Sequence, residues 1–329
     1  MTFQSILFEK PEDRVTNDTP EAPVFFVDLN LDQIVEAITS GRAEYNLKPF
    51  FYRSLGNIDA IHYRHEIMQD LENDLLYRHI RSFAQRMRAM REDLVQAAKR
   101  YYQYQKESWF LDAVVIYCDA INCLAHDLTA ADLKSRGCVA FRQYLINYAA
   151  SEPFTLLLAE TQKLKADLST VKYCLLIKDN GFKLRKYESE TDYSAEVEET
   201  FHKFKQGAVK DHSVKFSDWP DMNHVEAKAL DFVAQLYPDI FASLANYRVK
   251  NANYLDETIG RFDREIQFYI AYLDHIAILT RAGLKFCYPK ISNQRKEVYD
   301  YEGFDLALAY KLIGEQSSIL CNDFYLQDW

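Results

Sequence analysis

The sequence predicts a mainly α-helical fold, a bundle of long helices carrying one small antiparallel β insertion. Three observations lead there. Glycine and proline are scarce, 9 and 8 in 329 residues, about half of their usual share, and neither occurs from Asn57 to Arg136. Apolar residues recur at steps of three and four over long stretches, the spacing of a helix face. One strong hairpin signal, Asp179-Asn180-Gly181, lies between two short apolar runs; its turn positions favour residues that accept positive φ.

In chain order, Ile58, Ile61, Met68, Leu71 and Leu75 are expected on one helical face. Ile80, Phe83, Ala84, Met87, Met90, Leu94, Ala97 and Ala98 follow on the next, with Arg78, Arg81 and Arg88 opposite as a solvated stripe. A helical block runs from about Val139 to Thr170, broken at Ser151-Glu152-Pro153, where Ser151 suits a cap and Pro153 a first turn. VKYCLLIKDNGFKLRKYE then reads as two strands, and Ser213 to Phe216 as a third. Asp221 or Asn223 is placed to cap a helix carrying Val225, Leu230, Phe232, Val233 and Leu236, and Pro238 starts or kinks the next piece. Leu255, Ile259, Phe262, Ile266, Tyr269, Leu273 and Ile276 recur at heptad spacing, which predicts a long helix packed along a near-antiparallel partner and ended by Gly283. From Phe286 onward, short strands and turns surround one helical piece, Phe304 to Ile313.

Length and composition narrow the classes. A chain of 38.6 kDa holds one to three domains, and 48% hydrophobic residues exclude disorder of the whole. A net charge of −10 excludes a general nucleic-acid coat, so any such contact needs a local basic patch. Six cysteines without a CxxC pair point to buried thiols in a reducing compartment. No basic region followed by an apolar run opens the chain, and no run reaches 18 apolar residues. The expected location is the cytoplasm, with no membrane partner.

Catalytic signatures are missing. GxxxxGK[ST], GxGxxG and GxSxG do not occur. His62 and His65 share a helix face with Glu66 beside them, but the sequence names no further metal ligand, and ordinary histidines are the expectation. The 23 tyrosines are expected in the core with their hydroxyls at the surface. The clearest candidate is electrostatic. Lys172, Lys178, Lys183, Arg185 and Lys186 surround a lone acid, Asp179, and Lys210 and Lys215 follow nearby. A basic hairpin on an acidic body can approach phosphates. The alternatives are that edge lysines only prevent strand pairing, or that the acids from Glu188 to Glu199 neutralise the patch.

Several segments, in order, resemble the MutS family of DNA mismatch-repair ATPases. SILFEKPEDR, FFVDLNLDQIVEAIT and LGNIDAIHYRHEIMQDLE are similar to its opening core helices. YCLLIKDNGFKLRKYE and DYSAEVEETFHKFKQGAVKDHSVKF resemble its clamp-like β insertion. DMNHVEAKALDFVAQLYPDIF and TIGRFDREIQFYIAYLDHI resemble the returning helices, and AGLKFCYPKIS and ILCNDFYL the lead-in to its ATPase domain.

The resemblance implies a helical core over 1–137, ascending lever helices over 138–170, a β clamp over 171–217, returning levers over 218–285 and the start of an ATPase domain over 286–329. It implies double-stranded or branched DNA as partner, contacted at the backbone through Lys178, Lys183, Arg185, Lys186, Lys210 and Lys215. The family's phosphate loop follows the segment that ILCNDFYLQDW resembles, so the expectation is a fragment that hydrolyses nothing. ATP, magnesium and homodimerisation would belong to a longer parent, and mismatch reading to a domain that is not expected here. The alternative from another class is a helical protein-interaction scaffold without DNA contact.

Overall fold

The computed structural model describes residues 3–10, 21–178, 181–189, 222–294, 296–315 and 317–326. The fold is mainly α. Twelve α-helices lie among the described residues: α1 (Phe25–Asp28), α2 (Leu31–Thr39), α3 (Lys48–Tyr52), α4 (Ile58–Asp70), α5 (Asp74–Lys99), α6 (Gln103–Ala130), α7 (Arg136–Ala149), α8 (Glu152–Ser169), α9 (His224–Leu236), α10 (Pro238–Lys250), α11 (Glu257–Arg281) and α12 (Leu306–Gly314). Strands β1 (Tyr173–Lys178) and β2 (Gly181–Lys186) form one antiparallel hairpin. Strands β3 (Val298–Gly303) and β4 (Asn322–Leu326) form a second two-stranded antiparallel sheet.

Local chemistry explains the helix ends. Asn223 and Glu226 form a reciprocal capping box at α9. Pro238 opens α10, where its missing N–H costs no helical bond. At the end of α11, Gly283 adopts φ +92°, and the N–H groups of Gly283 and Leu284 reach back to Thr280 and Leu279. This is the left-handed stop that glycine permits.

The chain divides into two compact units: Met1–Arg88, Tyr117–Phe154 and Leu255–Trp329 make the first, and Ala89–Ile116 with Thr155–Tyr254 the second. In the first unit α11 is buried on several sides. Ile259, Phe262, Ile266, Tyr269, Ile270 and Ala271 are inside, and so are Asp263, Glu265 and Gln267. The long helix expected from the heptad spacing is present, with Ile259, Phe262, Ile266 and Tyr269 buried. Leu255 is exposed and Leu273 and Ile276 only partly buried, so α11 is a central core helix and not one with a single apolar seam.

An irregular segment runs through this core. Ser5, Ile6 and Leu7 are almost wholly buried, without a helix or strand to bond their backbone. Side chains satisfy it instead. Arg261, Tyr63, Tyr269 and Arg64 donate to the carbonyls of Gln4, Ser5, Ile6 and Leu7 at 3.0, 2.7, 2.9 and 3.2 Å. Glu265 Oε2 accepts from Ser5 Oγ at 2.6 Å and from the Ile6 N–H at 3.0 Å. Tyr63 and Tyr269 thus turn their hydroxyls inward, against the expectation that tyrosine hydroxyls lie at the surface. On α4 the fully buried apolar residues are Tyr63 and Ile67, whereas Ile58, Ile61 and Met68 are partly covered and Leu75 is exposed. Tight packing explains the shift. A Cβ on Gly137 would meet Ile67 and Tyr63 at 2.7 Å, so only glycine lets α7 come this close to α4.

Along α5, the expected face is buried from Ile80 to Met90 and at Ala97, while Leu94 is partly covered and Ala98 exposed. Helix α6 is long and apolar enough to cross a membrane by length and composition, with mean hydropathy 1.4, but half of that stretch is buried inside the protein. The cysteine expectation holds for Cys118 and Cys138 only; Cys123, Cys287 and Cys321 are exposed.

The second unit has its own small core. Val233, Ala234 and Phe241 are packed by Tyr104, Val171, Leu184, Leu230 and Tyr237. Thr161 and Tyr247 share a buried hydroxyl–hydroxyl bond at 2.6 Å, tying α8 to α10. Val225 and Phe232 are exposed, because α9 turns Ala227, Val233 and Ala234 inward instead.

Candidate nucleic-acid interface

The β1–β2 ladder pairs Leu175 with Leu184, Leu176 with Lys183, Cys174 with Arg185 and Tyr173 with Lys186. Asp179 and Asn180 lie outside the described residues, and Lys178 pairs with Gly181. Gly181 is therefore a ladder residue and not part of the turn, one position away from the Asn-Gly reading. Alternation of side chains then sorts the hairpin into two faces.

On one face β2 packs on the second unit's core, while Tyr173 and Leu175 of β1 on the same side are exposed. Leu184 lies against Val233, Ala234 and Phe241, and the Phe182 ring stands 6.1 Å from Phe232. The other face carries Cys174, Leu176, Lys183 and Arg185. Lys183 and Arg185 are exposed, and Lys183 has no ion-pair partner among the described residues. Position 178 has the same parity as 174 and 176.

Parity separates Lys186 from the others. It lies on the face of Phe182 and Leu184, and its ammonium sits 4.9 Å from the centre of the Tyr237 ring. Cation–π attraction holds it there. Tyr237 also donates its hydroxyl to the Lys172 carbonyl, fixing the chain where it enters β1. The sequence reading missed Tyr237, whereas the alternation of Phe182, Leu184 and Lys186 was visible and could have set Lys186 apart. Lys210, Lys215, the acids beyond Ser189 up to Glu199, the strand expected at Ser213 to Phe216, and Asp221 lie outside the described residues.

The arginine stripe of α5 is differently placed. Arg81 lies 3.3 Å from Asp274, which also holds Arg42 at 2.7 Å and accepts from the Tyr77 hydroxyl at 3.0 Å. Arg88 faces Glu44 at 3.6 Å, and Arg78 Nε donates to its own helix at the Asp74 carbonyl. All three arginines are exposed, as a solvated face requires, and two of them also meet carboxylates there.

The rings of His62 and His65 stand 6.2 Å apart, centre to centre. Glu66 is bound by Arg136, and His65 packs 5.4 Å from the Tyr288 ring. Burial and the neighbouring His62 hold the His65 pKa below its ordinary value. No group of three or more His, Cys, Asp or Glu that could hold a metal ion occurs among the described residues. Compared with protein-family models, curated proteins and solved structures, the chain found no match in any of the three.

Proposed function

We propose that the chain is the DNA-binding lever-and-clamp part of a MutS-like repair or recombination ATPase, with β1–β2 touching the DNA backbone. The observation that carries this reading is the division of β2: Leu184 is anchored on Val233, Ala234 and Phe241, while Lys183 and Arg185 are exposed on the other face. An anchored strand pair with exposed cations suits phosphate contact, and lysine, a point charge, positions without reading bases. The ordered sequence likeness supports the family, in which ATP and magnesium would be held by a phosphate loop, a motif this sequence does not contain.

The test is DNA affinity at two salt concentrations for the wild type and a variant with Lys178, Lys183, Arg185 and Lys186 changed to Gln. Non-specific binding near 10⁻⁴ to 10⁻⁶ M is expected, with a log–log salt slope of about 0.9 for each neutralised phosphate. The variant should show a shallower slope and an unchanged fold. Superimposed curves would remove the hairpin from consideration and favour a helical protein-interaction scaffold. Leu176, exposed on the basic face at 48%, is the observation on which that second reading rests.

A further inference from the structure

A cavity of about 820 Å³ opens in the first unit between α4, α11 and the stretch 284–289. This is the size of a small-molecule site. Its wall is mostly apolar, with Phe51, Ile61, Met68, Phe268, Leu273 and Phe286 contributing. Two cations also line it. Lys285 is exposed and lies 3.3 Å from Glu302.

Arg64 is in another situation. It packs against two rings, its Cζ 5.0 Å from the centre of Phe8 and 5.2 Å from that of Phe268. Its Nε donates to the Leu7 carbonyl at 3.2 Å. The rings stabilise its charge but accept none of its Nη hydrogens, and no carboxylate pairs with it among the described residues. The other polar wall groups do not compensate. Glu72 is committed to the Tyr288 hydroxyl at 2.6 Å, and His65 lies against the Tyr288 ring. Burial disfavours the Arg64 charge, and Glu265 offsets this only through the field it exerts; the Nη donors themselves have no acceptor among the described residues, which is costly unless one arrives.

We propose that this cavity binds a small organic carboxylate with an apolar body, the carboxylate taking the Nη donors of Arg64 and the hydrocarbon lying along Phe51, Met68 and Leu273. One planar fork matches a monoanionic carboxylate held by two parallel hydrogen bonds. A phosphate dianion would need further donors, and Lys285 already faces Glu302. The site is independent of the DNA reading.

The experiment is calorimetric titration of the 329-residue chain with octanoate, octan-1-ol and octylammonium. Octanoate should bind at least about tenfold more tightly than octan-1-ol, the size of effect a charge-assisted hydrogen bond gives. Octylammonium should bind no better than the alcohol. Arg64→Gln keeps a donor for the Leu7 carbonyl but removes the charge, and should cut the octanoate advantage to about twofold or less. Met68→Trp fills the cavity without touching Arg64 and should weaken octanoate and octan-1-ol together. Cys287, exposed on the cavity wall, gives a second readout. Octanoate should slow its alkylation by N-ethylmaleimide in the wild type and not in Met68→Trp, with Cys123 unaffected in both. Should Arg64→Gln fail to fold, the wild-type ratio and the Cys287 protection decide. Equal binding of octanoate and octan-1-ol, an octanoate advantage that survives Arg64→Gln, or unprotected Cys287 would overturn the proposal.

Discussion

The arginines of α5 and the basic residues of β2 are both clusters of positive charge on regular elements. In the first unit, Arg81 and Arg88 face Asp274 and Glu44, carboxylates brought to them from distant parts of the chain. In the second, Lys183 is exposed with no such carboxylate among the described residues, and the opposite face of its strand packs on apolar core. A cation engaged with a partial counter-charge must give up that interaction to meet a phosphate. An unengaged one gives up only water and condensed ions. Counting lysines and arginines along a sequence therefore overstates one surface and understates the other; what distinguishes them is which acids the fold delivers.

The largest expected effect tests the engaged side. Asp274→Ala leaves Arg42, Arg81 and the Tyr77 hydroxyl without their shared acceptor, and should destabilise the protein by about 2 kcal/mol in urea unfolding. Unchanged stability would mean the stripe is not committed, and the contrast would fail. Next is Tyr237→Phe, which removes the hydroxyl bound to the Lys172 carbonyl but keeps the ring under Lys186. A loss of roughly 0.5–1 kcal/mol is expected. Smaller still is Lys186→Gln, with about 0.5 kcal/mol from the lost ring contact and almost no change in the salt slope of DNA binding. A slope change as large as that of Lys183→Gln would place Lys186 with the phosphate-facing residues.

The smallest effect concerns pH. His275 is buried against Tyr310, and its Nε2 has no hydrogen-bond partner among the described residues. Burial holds its pKa below the ordinary value of 6.5. Below that value the unfolded chain binds the extra proton first, so stability present above pH 6.5 declines as pH falls toward the lowered folded value. His65 shifts in the same direction. Melting temperature followed from pH 7 to pH 5 should fall less steeply in His275→Phe than in the wild type.

Signals confined to a few neighbouring residues were legible in the sequence. Asn223 as a helix cap, Pro238 at a helix start, Gly283 at a helix end and the hairpin itself depend on local backbone geometry, which residue type largely determines. Burial and pairing were less so. Nothing in FQSILF announces that Tyr63, Tyr269, Arg64 and Arg261 will bond its carbonyls, because those partners lie far along the chain. The heptad of α11 was real as a pattern, yet Asp263, Glu265 and Gln267 between its apolar positions are also buried. Glu265 is accommodated by Ser5 and Ile6, a contact no periodicity contains. For the candidate site, strand alternation gave the face of Lys183 and Arg185, while the seat of Lys186 on Tyr237 needed the packing of α9 against β2.

The contrast between the two basic surfaces is tested most directly by the salt dependence of DNA binding in two double variants, Lys183→Gln with Arg185→Gln and Arg81→Gln with Arg88→Gln. Each removes two positive charges, so net charge is matched. The hairpin variant should lose about 1.8 from the log–log slope, two phosphate contacts at about 0.9 each, while the stripe variant should keep the wild-type slope. Equal losses, or a larger loss in the stripe variant, would contradict the account.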